Sequence, residues 1–210
     1  MTTTNNKILK LYKSRLTLVD QLDNLQYDVS DYQDFSINEI DAMNNNSQLD
    51  MLVTNKTTGR KIYIKYNLNA KQLNAQTVDN VIEDLYTIDT ILTIEDTLMI
   101  ITDTEPNDTI LTKIRYLYDH SGIFVVIHNI NRLQYNILKH TLVPKTRILG
   151  ETEVEEFKKT YNILNLTQVP EISRFDPQAL AICLRPGQVC EFTRDSATAM
   201  NAKYYRVCMG

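Results

Sequence analysis

Glycine is scarce in this chain, with five glycines among 210 residues. A loop that cradles phosphate with its backbone needs several glycines close together, because the chain must approach the ligand closely. The sequence contains no G-x-x-x-x-G-K-S/T phosphate loop, no G-x-S-x-G nucleophile elbow and no H-E-x-x-H zinc motif. These classes of enzyme site are excluded, and we expect no catalytic residue in the chain.

Cysteine and histidine are also rare, with three of each. The cysteines are odd in number and lack the C-x-x-C spacing of a zinc site, so we expect small buried hydrophobic side chains. The histidines are scattered along the chain, and none is predicted to be a ligand. The sequence therefore predicts no metal and no cofactor at these residues: Cys183, Cys190, Cys208, His120, His128 and His140.

Long apolar runs are missing as well. No run of about 18 uncharged apolar residues occurs, so no membrane-spanning helix is predicted. Residues 1–6 are polar and carry no feature of a secretory signal, and we expect a reducing compartment. Apolar residues make up 43% and charged residues 23% of the chain, which is the balance of an ordinary globular protein.

Charge of one sign is not concentrated anywhere. The net charge is −4. Residues 141–210 hold nine Lys/Arg against eight Asp/Glu, a net +1, which leaves −5 on residues 1–140. A protein that grips nucleic acid by itself carries a clear basic surface. We therefore expect any contact with DNA to be made as part of a larger assembly.

The last third of the chain carries the most specific pattern. Asp176 is a good helix N-cap, and Pro177 stands at the first helical position, where proline is best tolerated. The turn Arg185-Pro186-Gly187 is predicted to stop this short helix. Residues 188–194 and 203–208 then have strand-like composition and are predicted to pair as a hairpin. Upstream, Thr152-Glu153-Val154-Glu155 reads as a capping box that starts another helix.

Several ordered blocks stand in this region: Leu142-Val143-Pro144-Lys145, Val169-Pro170-Glu171-Ile172, Asp176-Pro177-Gln178-Ala179, Leu184-Arg185-Pro186-Gly187-Gln188-Val189 with Arg194, Ser196-Ala197-Thr198-Ala199, and Tyr205-Arg206. Together they closely resemble the C-terminal assembly domain of the fifth subunit of eukaryotic-type DNA-dependent RNA polymerases, a family that also has archaeal members.

Two positions and one loop depart from the family pattern. Cys183 stands where the family usually has glycine, and Glu191 replaces a lysine, which reverses a charge on the hairpin. The loop over residues 196–202 lacks the family's glycine and has Met200 and Asn201 instead.

The first two thirds of the chain alternate helix-like and strand-like segments, which predicts an α/β layer of helices on a sheet. The predicted elements are, in order, a helix over 5–26, a short helix opened by a Ser36/Glu39 capping box, strands over 49–54 and 61–66, a helix over 78–85, a strand over 97–101, a turn at 105–108, a helix ending at Ser121-Gly122, a strand over 123–127 and a further candidate strand over 133–137. Pro144 forces Val143 into extended geometry, so we place a boundary between domains 1–140 and 141–210.

This element order resembles the jaw domain that eukaryotic-type members of the family carry and archaeal ones lack. The jaw fold in that family is related to restriction-type and mismatch-repair endonucleases. The resemblance thus implies an α/β (α+β) protein with a nuclease-like α/β jaw domain and a small C-terminal α/β assembly domain.

A nuclease of that kind holds a divalent metal with an acid on one strand and an acid-x-Lys on the next. Asp50 and Lys65 fit two of these positions, but Tyr63 occupies the place of the second acid. A phenol is a poor ligand for a hard cation, so we interpret Asp50 as a strand-end surface residue.

The resemblance implies a non-catalytic subunit of a multisubunit DNA-directed RNA polymerase. Its assembly domain would dock on the largest subunit beside neighbouring small subunits. The residues that match interface positions are Leu142, Val143, Pro144, Arg174, Asp176, Pro177, Arg185, Gly187, Arg194, Tyr205 and Arg206.

Its jaw would lie near downstream double-stranded DNA, with the turn at Glu105, Pro106 and Asn107 closest to it. Because no lysine or arginine follows this turn until Lys113, we expect weak contact with phosphates. Asp108 is a candidate cap for the helix that follows.

The alternative function is a stand-alone protein-interaction module with an inactive nuclease-like domain. We expect location in the nucleus, or in a cytoplasmic viral transcription site or virion if the Asn- and Ile-rich composition reflects a viral genome.

Overall fold

A computed structural model of the protein describes residues 2–68 and 73–210. The chain divides into two compact units, Met1–Asn136 and Ile137–Gly210. The division falls four residues before the boundary expected from Pro144. Within the described ranges, no helix has both the length and the apolar character needed to cross a bilayer.

The N-terminal unit is built on a four-stranded sheet. Its strands are β1 Met51–Thr54, β2 Lys61–Asn67, β3 Thr97–Thr102 and β4 Phe124–Asn129, in the order β1-β2-β3-β4. β1 and β2 form an antiparallel pair, whereas β2, β3 and β4 run parallel. Every residue of β3 and β4 is buried, as is usual for parallel strands in the interior of a sheet.

The α-helices of this unit are α1 Thr2–Asn24, α2 Ile37–Asn45, α3 Ala75–Ile82 and α4 Asp108–Ser121. α3 continues through a π-helical stretch, Glu83–Ile88. The apolar faces of α3 and α4 pack on one side of the sheet in a single buried cluster that includes Val78, Ile110, Ile114, Leu98 and Val125. The unit is therefore a mixed α/β layer, as predicted.

Local capping chemistry explains several helix ends. The predicted capping box of α2 is present, because Ser36 accepts from the Glu39 backbone N–H and Glu39 accepts from that of Ser36. α4 ends at Gly122, whose φ of +69° is the left-handed conformation of a helix C-cap. A Cβ there would lie 2.8 Å from Cγ2 of Ile94, so both conformation and space favour glycine.

The candidate strand over residues 133–137 is wrong. The chain forms 3₁₀ turns at Ile130–Leu133 and Ile137–Lys139 instead. The side chain of Asn129 accepts a hydrogen bond from the backbone N–H of Asn131 at 2.8 Å, which turns the chain directly after β4.

The C-terminal unit contains β5 Lys145–Ile148, α5 Glu151–Thr160, β6 Glu171–Ser173, α6 Pro177–Ala181, β7 Val189–Ser196 and β8 Met200–Met209. Its sheet has the order β5-β7-β8-β6. β7 and β8 form the predicted antiparallel hairpin, with Val189 opposite Val207. β5 pairs antiparallel with β7, and β6 pairs parallel with β8.

The start of α5 differs from the predicted capping box. Gly150 is the N-cap, and the carboxylate of Glu153 accepts a hydrogen bond from its backbone N–H at 3.0 Å. Glu155, the acid of the predicted box, instead pairs with Lys158 at 2.9 Å. α5 thus begins before Thr152, because Glu153 can reach the backbone N–H of Gly150 at the N-terminus of the helix.

The end of α6 also differs. The helix ends at Ala181, before the Arg185-Pro186-Gly187 turn that was expected to stop it. The backbone N–H of Leu184 donates to the carbonyl of Ala179, and that of Cys183 donates to the carbonyl of Leu180. This is the Schellman pattern, which requires a left-handed residue at the position that Cys183 occupies with φ +51°. A glycine suits this conformation best, which gives a physical reason for the family's usual residue here.

Candidate functional site

Among the predicted interface residues, Leu142 has 86% of its surface accessible. Val143 and Pro144 beside it are half-buried. The carbonyl of Pro144 accepts a hydrogen bond from the Gln178 side chain at 2.8 Å. The first and third matching blocks are therefore held together in the fold, and an apolar side chain projects beside this junction.

α6 uses its predicted cap internally. The carboxylate of Asp176 accepts a hydrogen bond from the backbone N–H of Gln178 at 2.8 Å, and Pro177 occupies the first turn, where it is exposed. Asp176 thus contributes to the predicted interface by starting α6.

The four arginines among the predicted interface residues lie in different environments. Arg194 is exposed, with its guanidinium 5.2 Å from the ring centre of Tyr204. Arg206 is exposed and donates to the carbonyl of Glu171 at 2.9 Å, whereas Arg185 is half-buried. Arg174 is only 3% exposed, and its guanidinium lies 5.5 Å from the ring centre of Phe175. Arg174 is thus packed within the unit, and its role at an interface stays a prediction.

The turn at Gly187 is fixed by its backbone. Gly187 has φ +85° and donates its N–H to the carbonyl of Cys208 at 2.9 Å. No atom lies within 4 Å of the position that a Cβ would take, so glycine is favoured here by conformation alone.

Sequence reasoning missed a charge network on the hairpin. Glu191 is 7% exposed at its side chain and accepts from Nε of Arg147 at 3.0 Å, Nζ of Lys203 at 3.3 Å and the hydroxyl of Tyr205 at 3.2 Å. Arg147 also donates to Glu153 at 2.6 Å. The reversed charge at position 191 is thus matched by cations on both neighbouring strands, which the register alone brings together.

The pKa values of this network follow from burial and pairing. Burial raises the pKa of the Glu191 carboxyl, but the hydrogen bonds and charges of Arg147 and Lys203 outweigh it and hold that pKa below its ordinary value. Burial and the neighbouring Glu191 raise the pKa of the Tyr205 hydroxyl to about 12. Glu191 is therefore ionised and Tyr205 is a hydrogen-bond donor at neutral pH.

An aromatic cluster lies next to this network. The rings of Phe157 and Tyr205 have centroids 4.3 Å apart, and Tyr161 packs 5.2 Å from Phe157 and 5.6 Å from Tyr205. Phe157 is buried, whereas Tyr161 is exposed. The aromatic face of α5 therefore extends onto β8.

The turn formed by Glu105, Pro106 and Asn107 lies beside a cation that the sequence did not place there. Nε of Arg132 lies 3.0 Å from the carboxylate of Glu105. Asn107, not Asp108, caps α4, since its side chain accepts from the N–H of Ile110 at 3.0 Å. Pro106 is half-buried between them. The expectation that the turn lacks nearby cations is corrected, because a residue distant in sequence supplies one.

Asp50 is a strand-end residue as expected, but it is hydrogen-bonded rather than solvated. One carboxylate oxygen accepts from the hydroxyl of Tyr63 at 3.1 Å and lies 3.5 Å from Nζ of Lys65. The other accepts from the backbone N–H of Tyr66 at 3.1 Å. Burial, with Asp50 adding to it, raises the pKa of Tyr63 to about 12, so the phenol remains a donor. Both carboxylate oxygens of Asp50 therefore already accept hydrogen bonds from groups of the chain itself.

The side chains that most often bind metals are dispersed in the part of the chain that the structure describes. There, no three or more histidine, cysteine or acidic side chains are grouped so that they could hold an ion. Cys190 and Cys208 are buried, Cys183 is half-buried, and burial raises the pKa of all three thiols. They are free cysteines, packed as small hydrophobic side chains.

Comparison with known proteins gives one family. Residues 135–208 match the family model described as RNA polymerase Rpb5, C-terminal domain. A protein of Thermococcus kodakarensis named DNA-directed RNA polymerase subunit Rpo5 is 45% identical over 74 residues, which cover 35% of this chain and 89% of the relative.

Two other relatives carry the same name. That of Nitrosopumilus maritimus is 42% identical over 67 residues, which cover 32% of this chain and 80% of the relative. That of Archaeoglobus fulgidus is 36% identical over 75 residues, which cover 36% of this chain and 97% of the relative.

These matches and the C-terminal fold define a class of protein, the subunits of DNA-directed RNA polymerase. They confirm the resemblance that the sequence motifs indicated. The chain belongs to the RNA polymerase Rpb5/Rpo5 family. The matched segment lies almost wholly in the C-terminal unit.

Proposed function

We propose that the C-terminal unit docks this chain on the largest subunit of an RNA polymerase and carries no catalytic residue itself. The observation that carries the proposal is Leu142, which exposes 86% of its surface within the segment shared with the family. Burying a leucine contributes roughly 1.5–3 kcal/mol, so covering this side chain would stabilise an interface. Exposed Arg194 and Arg206 suit the same role, because arginine is enriched at interfaces.

The test is incorporation of tagged variants into polymerase in cells. We expect Leu142→Ser to lower the amount of polymerase that co-purifies with the chain. Leu164→Ser is the matched control, because Leu164 is 89% exposed in the same unit and lies outside the predicted surface. Equal co-purification of both variants and the unaltered chain would contradict the docking surface.

The N-terminal unit, in this proposal, lies near downstream DNA with its Glu105–Asn107 turn toward the duplex. Glu105 is neutralised by Arg132, and Pro106 offers a rigid, uncharged contact. The turn would therefore guide the duplex sterically and hold phosphates weakly.

A photocrosslinker at position 106 in assembled polymerase should label downstream DNA without base preference. Glu105→Lys should tighten retention of downstream DNA and increase its salt dependence, since it adds a cation and releases Arg132. Unchanged retention together with absent labelling would remove the turn from the DNA path.

The proposal also makes the jaw inactive as a nuclease. The Asp50 oxygens already accept from Tyr63 and Tyr66 and face Lys65, so a divalent ion would have to displace these donors. We expect no DNA cleavage with magnesium or manganese. Metal-dependent nicking that disappears in Asp50→Ala would refute this part.

A further inference from the structure

A groove of about 230 Å³ lies in the N-terminal unit between α1 and the segment that precedes α2. Its walls include the apolar parts of Leu16, Tyr32 and Phe35. Leu16 is a large apolar side chain that is substantially exposed on α1. An exposed apolar surface in a concave site is favourable for binding an apolar group.

The floor of the groove contains a buried arginine. Arg15 is 2% exposed, and its guanidinium lies 5.7 Å from the ring centre of Tyr32 and 5.4 Å from that of Phe35. One terminal nitrogen donates to the carbonyl of Leu49 at 2.9 Å, but Nε has no hydrogen-bond partner. A buried N–H without an acceptor is costly, so an acceptor that entered the groove and displaced the atoms covering Nε would be stabilised there.

The burial of Arg15 lowers its pKa, and the ionisable groups that act on it are Tyr66 and Tyr32 rather than a carboxylate. The rings hold the guanidinium through cation–π contact without supplying an in-plane acceptor. The carbonyl oxygen of a peptide backbone could supply one.

The rim of the groove carries acidic side chains. Asp23 and Asp34 are exposed there, whereas Asp20 is half-buried and accepts a hydrogen bond from the Asn136 side chain at 2.6 Å. The remaining charged lining residue is Arg15 itself, which is buried. A ligand at this rim is therefore favoured if it carries positive charge.

We propose that this groove docks a short segment of a protein partner in which one apolar side chain is flanked by lysine or arginine. The apolar side chain packs against Leu16 and Phe35, the basic side chains pair with Asp23 and Asp34, and a backbone carbonyl accepts from Nε of Arg15. This interaction is additional to docking through the C-terminal unit and does not depend on it.

The test uses the full-length chain and an acetylated, amidated probe peptide, Lys-Lys-Leu-Gly-Lys-Lys. Binding is followed by NMR through the Nε–H resonance of Arg15, which should shift as an acceptor arrives, and by titration calorimetry. Asp23→Asn and Asp34→Asn should each weaken binding roughly threefold to fivefold, as expected for partly exposed ion pairs. Asparagine also tolerates the φ of +61° at position 34, so this variant should fold.

Asp31→Asn is the matched control, because it removes the same charge from an exposed position outside the groove lining. It should leave the affinity unchanged. A second peptide with glycine in place of leucine should bind more weakly than the first.

Three results would overturn the proposal. The first is no binding at probe concentrations up to about 1 mM, where even contacts of roughly 4 kcal/mol are detected. The second is equal weakening by Asp31→Asn and the two groove variants, which would indicate attraction to net charge. The third is binding that neither needs the leucine nor shifts the Arg15 resonance.

Discussion

Replacing Glu191 with lysine, the residue usual in the family, should destabilise the C-terminal unit. The carboxylate is 7% exposed and accepts from Arg147, Lys203 and Tyr205. Removing one partner of a fully buried ion pair costs roughly 3–5 kcal/mol. Arg147 and Lys203 are about half exposed, so solvent screens part of this interaction and the lower end applies. We expect Glu191→Lys to lower the free energy of unfolding by about 3 kcal/mol.

The measurement is amide hydrogen exchange along β7, since it reports opening of the C-terminal unit separately from the rest of the chain. Adding Lys203→Glu to Glu191→Lys restores opposite charges across the hairpin and should recover about 1 kcal/mol. Lys203→Glu alone is the control, and it should destabilise because it places two acids together. A Glu191→Lys variant with unchanged exchange would show that the network contributes nothing.

The same carboxylate predicts a pH dependence. In the folded chain the pKa of this carboxyl is below its ordinary value of 4.5, so the unfolded chain binds more protons than the folded chain as pH falls. The stabilisation is complete above about pH 4.5 and is lost as pH falls through the folded pKa. Glu191→Gln should therefore reduce the fall of the opening free energy at acid pH. The opening free energies of the unaltered chain and of this variant should differ most near neutral pH.

Three further predictions concern single positions. Cys183→Gly should be more stable than Cys183→Ala by about 1 kcal/mol in denaturant unfolding, because both lose the thiol and only alanine keeps the left-handed strain; equal stabilities would contradict the strain. Gly187→Ala should cost about 1 kcal/mol by the same assay, since φ is +85° and a Cβ meets open space, and a much larger cost would mean that the turn rearranges. Tyr63→Phe should cost about 1 kcal/mol, because Asp50 loses one hydrogen-bond donor. It should also reduce the number of tyrosines that titrate near pH 12, because the pKa of Tyr63 is raised to about 12; an unchanged titration would refute the raised pKa.

Features set by neighbouring residues were predictable from the sequence. The apolar runs of β3 and β4, the Ser36/Glu39 box and the Asp176-Pro177 helix start all depend on local periodicity or capping. The two helix starts depend on hydrogen bonds within a few residues, and the two strands are marked by their mostly apolar composition, so both kinds of pattern are visible in the sequence. The family motifs extended this to the hairpin of β7 and β8.

Features that depend on distant residues were not predictable. Arg132 reaches Glu105 across 27 positions, and Arg147 reaches Glu191 across 44. The end of α6 was misplaced because the Schellman turn at Cys183 looks unfavourable for a residue with a side chain, while Pro186 is a stronger local signal. The end of α6 itself is made by backbone hydrogen bonds within five residues, which the left-handed conformation of Cys183 permits.

Each unit contains a carboxylate whose oxygens are already hydrogen-bonded within the chain. Asp50 accepts from Tyr63 and Tyr66 and faces Lys65, and Glu191 accepts from three side chains of its own sheet. A hard cation needs oxygen atoms with free lone pairs and little neighbouring positive charge. Both carboxylates instead lie beside lysine or arginine, so they stabilise strand pairing rather than bind metal.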